Sequence, residues 1–459
     1  RWICQSAAAR APEAYTADLT NWLAFWDCEC SKLLQTLALL ETQKAYAQCI
    51  NLMRRTERYW RMRAFHTDAL QRLERLQQTG QLSRRDYLQA QLICLSLLYE
   101  TEQFQTALPL ALELSDLDRR CTQRGRALYW TVRTAFILRN MALVNRYWNA
   151  LQAYYPCEHD PELHLAIHDL KGYLSAVPDL VAWREAQYQF ARASGDPLLQ
   201  ISALESLTEA LMFHGDYARM MRVLDAQRAV CEQLGSRMHW IKTMHGCVYG
   251  YIQMGQLDEA QLALDAVAAL EQELGLLSTS SHALQAWLHR WRGEPERSLQ
   301  IVLPQIASLE LQFNWHDAAT MLDTAAACFY EMGNLTEALR HSTDALRLRR
   351  QEIDSSRLHY TRTHHAFYSA IQSDPQALNE LEECLQFWRK RRWRPWQANT
   401  LYYLGKVYAQ QGAFERARAC LQEAIQLNQQ MGRALALQRC VQALHMLPTP
   451  SPQQNQNSP

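Results

Sequence analysis

His164 and His168 stand four residues apart in a segment that favours a helix, so both rings project from one helix face. Other possible metal ligands lie close by in the chain, namely His159, Asp160, Glu162 and Asp169. Two histidines supply only half of a tetrahedral metal site. The sequence therefore favours a surface or partly buried histidine pair over a metal centre, and an enzyme built on this cluster is the least favoured interpretation.

Other patterns that could support chemistry are weaker. Cys28 and Cys30 are the only close pair among 13 cysteines, and no second pair follows at ligand spacing. His364 and His365 are adjacent, so their rings point in different directions. Phosphate-binding glycine loops, a nucleophile elbow and a His-Glu-x-x-His helix are missing from the sequence. We therefore predict no catalytic residue, no bound metal and no cofactor in this chain.

The strongest local charge is a basic run near residue 390, formed by Arg389, Lys390, Arg391, Arg392 and Arg394. Trp393 and Trp396 interrupt it, and basic residues with interleaved aromatics can follow phosphates and stack bases. The favoured alternative is a solvated connector in which one tryptophan fills a seam between helices. The second interpretation is that the basic run binds an acidic or phosphate-bearing protein partner. We predict no direct binding of nucleic acid.

Composition restricts the class of protein. The 459 residues contain 47 basic and 47 acidic side chains, with only 15 Gly and 14 Pro. A chain so poor in helix breakers, and rich in Leu, Ala, Gln, Arg and Glu, should be mostly helical. Balanced charge argues against a basic nucleic-acid binder, and no apolar stretch approaches the ~20 residues that cross a bilayer. We expect a cytoplasmic protein with reduced thiols.

A repeat organises most of the chain. The clearest copy has Gly412 as its anchor, preceded by Leu404, Gly405 and Tyr408 and followed by Ala417 and Ala424. Similar phrases recur around anchors at a near-constant spacing, and extrapolation continues the series towards the N-terminus. The six recognisable anchors are Gly215, Gly255, Gly293, Gly333, Ser373 and Gly412, and the four extrapolated ones are Arg63, Glu102, Asn140 and Val177.

Each phrase is typical of a helix, a tight turn and a second helix. The glycine suits a left-handed residue at the end of the first helix, and the alanines let two helices approach closely. One pair cannot bury its apolar face, so neighbouring pairs must stack. We predict an all-α, right-handed superhelical solenoid of about ten antiparallel helix pairs with a period of about 39 residues.

The phrase around Gly412 resembles the tetratricopeptide repeat, although the usual period of that repeat is shorter, at about 34 residues. The longer period resembles the sensor region of bacterial STAND regulators, which are signal-transduction ATPases or transcriptional regulators. In the N-terminal segment, Trp26, Leu33 and Leu37 are similar to the helices that join the ATPase part to the repeats in that family. Lys32 departs from the family pattern, which usually has Asn there.

The resemblance implies a binding groove on the concave face of the solenoid. Its inward-facing repeat positions correspond here to Met212, Phe213, His245, Tyr249, Trp287, Trp291, Tyr330, Phe367, Tyr402 and Lys406. Exposed aromatics with a few polar groups suit a protein, a peptide or a small-molecule inducer. The alternative is a register shift of one position, which would place these side chains in the core.

Two functions stay open. In the first, the chain is a non-catalytic sensor and protein-interaction arm that regulates an NTPase or effector module missing from it; in the second, it is a standalone scaffold or peptide receptor. We predict a helical linker or cap at 1–55, the solenoid at 56–447 and a disordered tail at 448–459. The start at Arg1 suggests a fragment, and the Pro/Gln-rich tail suggests a natural C-terminus nearby.

Overall fold

The computed structural model describes residues 1–63, 65–101, 103–116, 124–138, 140–155, 160–174, 179–276, 278–311, 314–350 and 355–448. His159, two extrapolated repeat anchors (Glu102 and Val177) and tail residues 449–459 lie outside these ranges. Within them the regular structure is helical and contains no strand. The predicted all-α class is confirmed.

The described residues form 24 α-helices and one short 3-10 helix at Ala11–Tyr15. The α-helices are α1 (Trp2–Arg10), α2 (Leu19–Thr42), α3 (Tyr46–Arg55), α4 (Glu57–Met62), α5 (His66–Gln78), α6 (Arg84–Glu100), α7 (Phe104–Ser115), α8 (Arg124–Ile137), α9 (Met141–Gln152), α10 (Pro161–Leu174), α11 (Leu180–Ala193), α12 (Pro197–His214), α13 (Tyr217–Leu234), α14 (Arg237–Met254), α15 (Leu257–Leu274), α16 (Thr279–Trp291), α17 (Pro295–Leu311), α18 (Trp315–Glu331), α19 (Leu335–Arg349), α20 (Ser355–Ile371), α21 (Pro375–Arg391), α22 (Arg394–Gln410), α23 (Phe414–Met431) and α24 (Ala434–His445). None of the described helices has the length and apolar character needed to cross a membrane.

Helices pack in chain order. From α15 to α24 each helix contacts the next, and α16, α18, α20, α22 and α24 also contact one another in sequence. The first kind of contact forms helix pairs, and the second stacks each pair on its neighbour. This is the packing that the repeat pattern predicts.

The six recognisable anchors are turns in the left-handed region, whereas the extrapolated anchors Arg63 and Asn140 are not, with φ of −100° and −84°. The φ angle is 81° at Gly215, 80° at Gly255 and Gly293, 79° at Gly333 and 76° at Gly412. Ser373 takes the same conformation with φ of 72°, which explains how it replaces glycine in the pattern at a steric cost. The predicted left-handed turn is therefore confirmed at all six recognisable anchors.

The small residues of the clearest repeat lie where its two helices meet. Ala417 and Ala424 of α23 are fully buried. A Cβ on Gly405 of α22 would lie 2.7 Å from Cγ of Leu421, well inside van der Waals contact. The close approach of α22 and α23 therefore depends on these small side chains.

The chain divides into two compact units. The N-terminal unit is Arg1–Ala210 with Arg222–Met244, and the C-terminal unit is Leu211–Met221 with His245–Pro459. In the N-terminal unit, Trp26 and Trp60 are buried in one apolar cluster that also contains Leu73 and Leu198. The segment predicted as a linker, 1–55, thus shares a core with later helices, and the predicted boundary at 55 stays a prediction.

Within the C-terminal unit, the last helices pack against its first turns. Arg433, between α23 and α24, is 3% exposed and donates to Oε1 of Gln253 over 2.7 Å. The side chain of Met431 occupies the space beside Gly215, and Ala434 lies beside Gly255. These contacts join residues between 179 and 216 positions apart in the sequence, so the end of the unit closes onto its beginning.

We expect Ala417→Trp to destabilise the protein and Ala419→Trp to have little effect. Ala417 is fully buried, so an indole there overpacks the α22–α23 crossing at a cost of about 1–3 kcal/mol or more. Ala419 is exposed on the same helix and should change the stability by no more than about 0.5 kcal/mol. Thermal unfolding followed by circular dichroism measures both. Equal midpoints for the two variants would contradict this packing.

Candidate ligand-binding surface of the C-terminal unit

All ten residues predicted for a binding groove lie in the C-terminal unit. Phe367 is fully buried and is a core residue. The other nine are partly exposed, neither free surface side chains nor core. The structure brings most of them into two aromatic groups.

The first group is on α14 and α16. Tyr249 stacks on Trp287 with ring centroids 5.2 Å apart, and Trp287 meets Trp291 edge-on at 6.3 Å. Each of these two spacings is within the range in which aromatic pairs attract. His245, on α14, is engaged elsewhere, because its Nε2 lies 2.8 Å from Oγ of Ser281.

The second group is on α18, α20 and α22. Tyr330 lies edge-on to Phe367 at 5.0 Å, and Nζ of Lys406 donates to the hydroxyl of Tyr330 over 2.7 Å. The same ammonium lies 5.8 Å from the ring centroid of Tyr402. Burial, with a smaller contribution from the negative charge of Glu331, raises the pKa of Tyr330 to about 12. The phenol is therefore neutral and can accept the hydrogen bond from Lys406.

A charged trio joins the two groups. Arg290 of α16 donates from Nε and Nη2 to Oε1 of Glu331 over 3.1 and 2.9 Å. Arg439 of α24 reaches the same oxygen over 3.2 Å, and its guanidinium lies 4.2 Å from the ring centroid of Trp291. Burial alone would lower the pKa of Arg290, but Glu331 raises it above its usual value. Arg290 is therefore cationic here.

These residues make one polar and aromatic patch, which we call the aromatic–cationic surface. Its members come from five helices that the repeat packing brings together. They are Tyr249, Trp287, Arg290, Trp291, Tyr330, Glu331, Tyr402, Lys406 and Arg439.

Arg290, Glu331 and Arg439 were not among the predicted site residues. Arg290 stands three residues before the anchor Gly293, as the predicted residue Tyr330 stands before Gly333. Glu331 stands two residues before Gly333, as the predicted residue Trp291 stands before Gly293. Including charged residues at these positions would have found them. Arg439 lies beyond Gly412, the last anchor, so no further anchor indicates which residues of its helix face inward.

Phe213 belongs to a different cluster. Its ring stacks on Trp393 at 4.2 Å and lies 5.6 Å from Trp396, and Trp393 in turn stacks on buried Trp388 at 5.8 Å. The tryptophans of the basic segment therefore pack between α12, α21 and α22. This is the arrangement expected of the connector alternative.

The basic residues before Trp393 lie at the C-terminal end of α21. Arg389 pairs with Glu423 at 2.7 Å, while Lys390, Arg391 and Arg392 are exposed. Arg392 has φ of 57° and ends the helix. The dipole of a helix favours cations at this C-terminal end. Arg394 begins α22 and is partly buried, so it is separate from the other four. A partner for this basic patch stays a prediction.

The predicted histidine pair, His164 and His168, packs against aromatic rings. His164 and His168 are stacked 6.5 Å apart, His164 lies 4.4 Å from Phe190, and His168 lies 4.0 Å from Trp183. Burial and the charge of Arg184 lower the pKa of His168 to about 4. Among the described residues no three His, Cys, Asp or Glu side chains are grouped as a metal site.

The N-terminal unit has a different polar interior, in which opposite charges meet. Glu100 pairs with Arg61 at 2.7 Å and with Lys242 at 3.7 Å. Asp169 pairs with Arg184 at 2.7 Å and with Arg133 at 3.2 Å. Each of these two carboxylates is held between two cations of the protein, so both are engaged in structural ion pairs.

Comparison with known proteins supports the repeat assignment. Residues 398–430 match the model of the tetratricopeptide repeat family. A solved Rap protein complexed with competence and sporulation factor shares the fold, with a TM-score of 0.58 at 12% identity, over 75% of this chain and 98% of that chain. The chain is thus a tetratricopeptide-like helical repeat protein. No curated protein matches its sequence.

Two further solved structures are similar at lower scores. The human IFIT1 dimer with m7Gppp-AAAA has a TM-score of 0.43 at 12% identity, over 82% of this chain and 90% of that chain. The Cut9–Hcn1 hetero-tetramer of APC/C has a TM-score of 0.28 at 11% identity, over 92% and 96%.

Glu205 of the N-terminal unit should make stability depend on pH. Burial raises the pKa of Glu205 to about 7 despite nearby Lys242, and its Oε1 has no hydrogen-bond partner among the described residues. The stability that this group contributes is therefore present below its usual pKa of 4.5 and lost as the pH rises through 7. We expect Glu205→Gln, which stays neutral, to gain thermal stability over the wild type from pH 5 to pH 8.

Glu74→Gln is the matched control, because Glu74 is an exposed carboxylate of the same unit. Its difference from the wild type should stay constant over this pH range. A constant difference for Glu205→Gln as well would show that Glu205 ionises normally in the folded protein.

Proposed function

We propose that this chain is a non-catalytic sensor and protein-interaction arm. It binds an inducer or a partner on the aromatic–cationic surface and regulates an NTPase or effector module outside these 459 residues. The observation that carries this proposal is the gathering of partly exposed aromatics and cations from five helices of the C-terminal unit. Partly buried aromatics with a few fixed polar groups are characteristic of ligand sites.

Two further points support it. The similarly folded Rap protein is complexed with a competence and sporulation factor, which is a precedent for ligand binding by this fold. The repeat period, which is longer than that of the ordinary tetratricopeptide repeat, resembles the sensor regions of bacterial STAND signal-transduction proteins, including transcriptional regulators. A cytoplasmic location belongs to the same proposal.

A standalone scaffold or peptide receptor is the second candidate, favoured by the tetratricopeptide repeat at 398–430. The gene sequence upstream of the codon for Arg1 distinguishes the two. A Walker-type loop followed by a winged helix supports the regulator, and a start codon directly before Arg1 supports the scaffold.

We expect the whole chain to bind members of an array of random, terminally amidated heptapeptides, and Trp287→Ala to weaken that binding. Trp287 stacks on Tyr249 and meets Trp291 edge-on, so its loss removes the centre of the first aromatic group. For the strongest peptides, fluorescence anisotropy should give a Kd raised about tenfold or more, as for tryptophan hot spots.

Leu262→Ala is the control, since this side chain of the same unit is 70% exposed and outside the surface. It should bind as the wild type does. Thermal melts identify any variant that loses its fold. No peptide binding by the folded wild type, or equal binding by folded Trp287→Ala, would contradict a peptide-binding role for this surface.

A further inference from the structure

The aromatic–cationic surface has an excess of positive charge. Its cations are Arg290, Arg439 and Lys406, and among the described residues its carboxylate is Glu331, which pairs with the two arginines. Arg290 and Arg439 share a single oxygen of Glu331, Oε1. One negative charge therefore faces three positive ones, in a setting lined by aromatic rings.

Arg439 is the more accessible arginine. Its side chain is 35% exposed, against 13% for Arg290, and its guanidinium lies against the face of Trp291. A guanidinium held by a ring keeps N–H donors in a fixed plane, which suits a carboxylate. Arg439 meets Glu331 through Nη1 and has no second carboxylate partner among the described residues, so its other N–H groups can bind a carboxylate of a ligand.

Lys406 has no carboxylate partner within the described part of the chain. Its ammonium is bonded to the hydroxyl of Tyr330 and lies 5.1 Å from that ring centroid, 5.9 Å from Phe367 and 5.8 Å from Tyr402. Aromatic faces and one hydroxyl compensate an ammonium only partly for lost water. An incoming carboxylate would form a charge-assisted hydrogen bond there.

Tyr402 links the two cationic positions. Burial raises the pKa of its hydroxyl, and both Lys406 and Arg439 oppose that rise, so both cations lie close enough to act on one phenol. The two positions are nevertheless separate, because Lys406 contacts Tyr330 and Tyr402 whereas Arg439 contacts Trp291. A ligand that satisfies both needs two carboxylates with an apolar part between them.

We propose that the aromatic–cationic surface binds an extended acidic peptide segment, in which two Asp or Glu side chains flank an aromatic or aliphatic one. One carboxylate pairs with Arg439 beside Glu331, the other pairs with Lys406, and the apolar side chain packs on the exposed rings between them. This inference rests on the proposed function and names its ligand class. A chain terminus alone is a poorer fit, since it supplies one carboxylate for two cationic positions.

The array of amidated heptapeptides tests this proposal with the whole chain. We expect peptides with two acidic side chains around an aromatic or aliphatic residue to be enriched among the binders. For such a peptide, replacing both acidic residues by their amides should raise the Kd about tenfold or more, and so should Arg439→Gln or Lys406→Gln, because each removes a charged hydrogen bond. Raising the salt concentration should weaken binding of the acidic peptide.

Arg297→Gln is the matched control, since Arg297 is an exposed cation of the same unit outside both the surface and the basic run. It should preserve the preference for acidic peptides. Thermal melts of all three variants exclude unfolding as the cause of lost binding.

The other outcomes are distinguishable. Peptide binding without acidic enrichment, or enrichment that folded Arg439→Gln and Lys406→Gln retain, overturns this inference and leaves the proposed function standing. Binding by the free-acid forms of the same peptides, with none by the amidated forms, reassigns the surface to chain ends. Displacement of the bound peptides by a short oligothymidine, with no acidic preference among peptides, points to nucleic acid instead. Absence of any peptide binding overturns this inference together with the peptide-binding form of the proposed function.

Discussion

Arg433 supplies the contact on which the C-terminal unit most depends. This almost fully buried arginine bonds to Gln253 of α14, to Asn428 of α23 and to the carbonyl of Pro395 in α22. A buried charge is tolerated only when its hydrogen bonds are satisfied, so the three helices must keep the positions that provide them. Through this residue the last repeat is fixed against the first turns of its unit.

The aromatic–cationic surface follows from that closure. Arg439 lies in the second turn of α24, and it reaches Glu331 at the end of α18. Residues so distant in sequence meet only because the helices that carry them are brought together at the end of the unit. The surface is therefore a product of repeat packing, and no single repeat contains it.

The two units use charge differently. In the N-terminal unit Arg58 and Asp196, both almost fully buried, pair at 2.7 Å, and Glu100 and Asp169 each have two cationic partners. Buried ion pairs of this kind hold the helices that carry them in place, because breaking one leaves an uncompensated buried charge. In the C-terminal unit the aromatic–cationic surface has one carboxylate for three cations. Binding of an acidic ligand is accordingly easier to explain there.

The sequence predicted the local features well. The left-handed turns at Gly215, Gly333 and Gly412, and the buried alanine at 417, follow from steric rules that act within a few residues. Most of the aromatic members of the surface were also found, because they recur at fixed repeat positions.

Long-range features were harder to predict. The repeat register predicted that Phe367 lies in the groove. The ring is instead buried in the core, where it stacks on Tyr403 with centroids 4.3 Å apart. Phe213 was assigned to the groove as well, whereas it stacks on Trp393, which is far away in the chain. Arg439 could not be predicted from the sequence, since its contacts depend on where α24 packs. Closure between distant repeats leaves no periodic signal in the sequence.

A double-mutant cycle between Arg433 and Gln253 tests the closure most directly. We expect Arg433→Met and Gln253→Leu to be non-additive in the free energy of unfolding, with a coupling of about 0.5–3 kcal/mol, as for residues in one hydrogen-bond network. Pairing Gln253→Leu with Arg340→Met, which removes an exposed arginine bonded to Glu337, should give additive effects and serves as the control. Additivity between Arg433 and Gln253 as well would mean that the last helices do not pack on α14, and would contradict the account of the surface built on that contact.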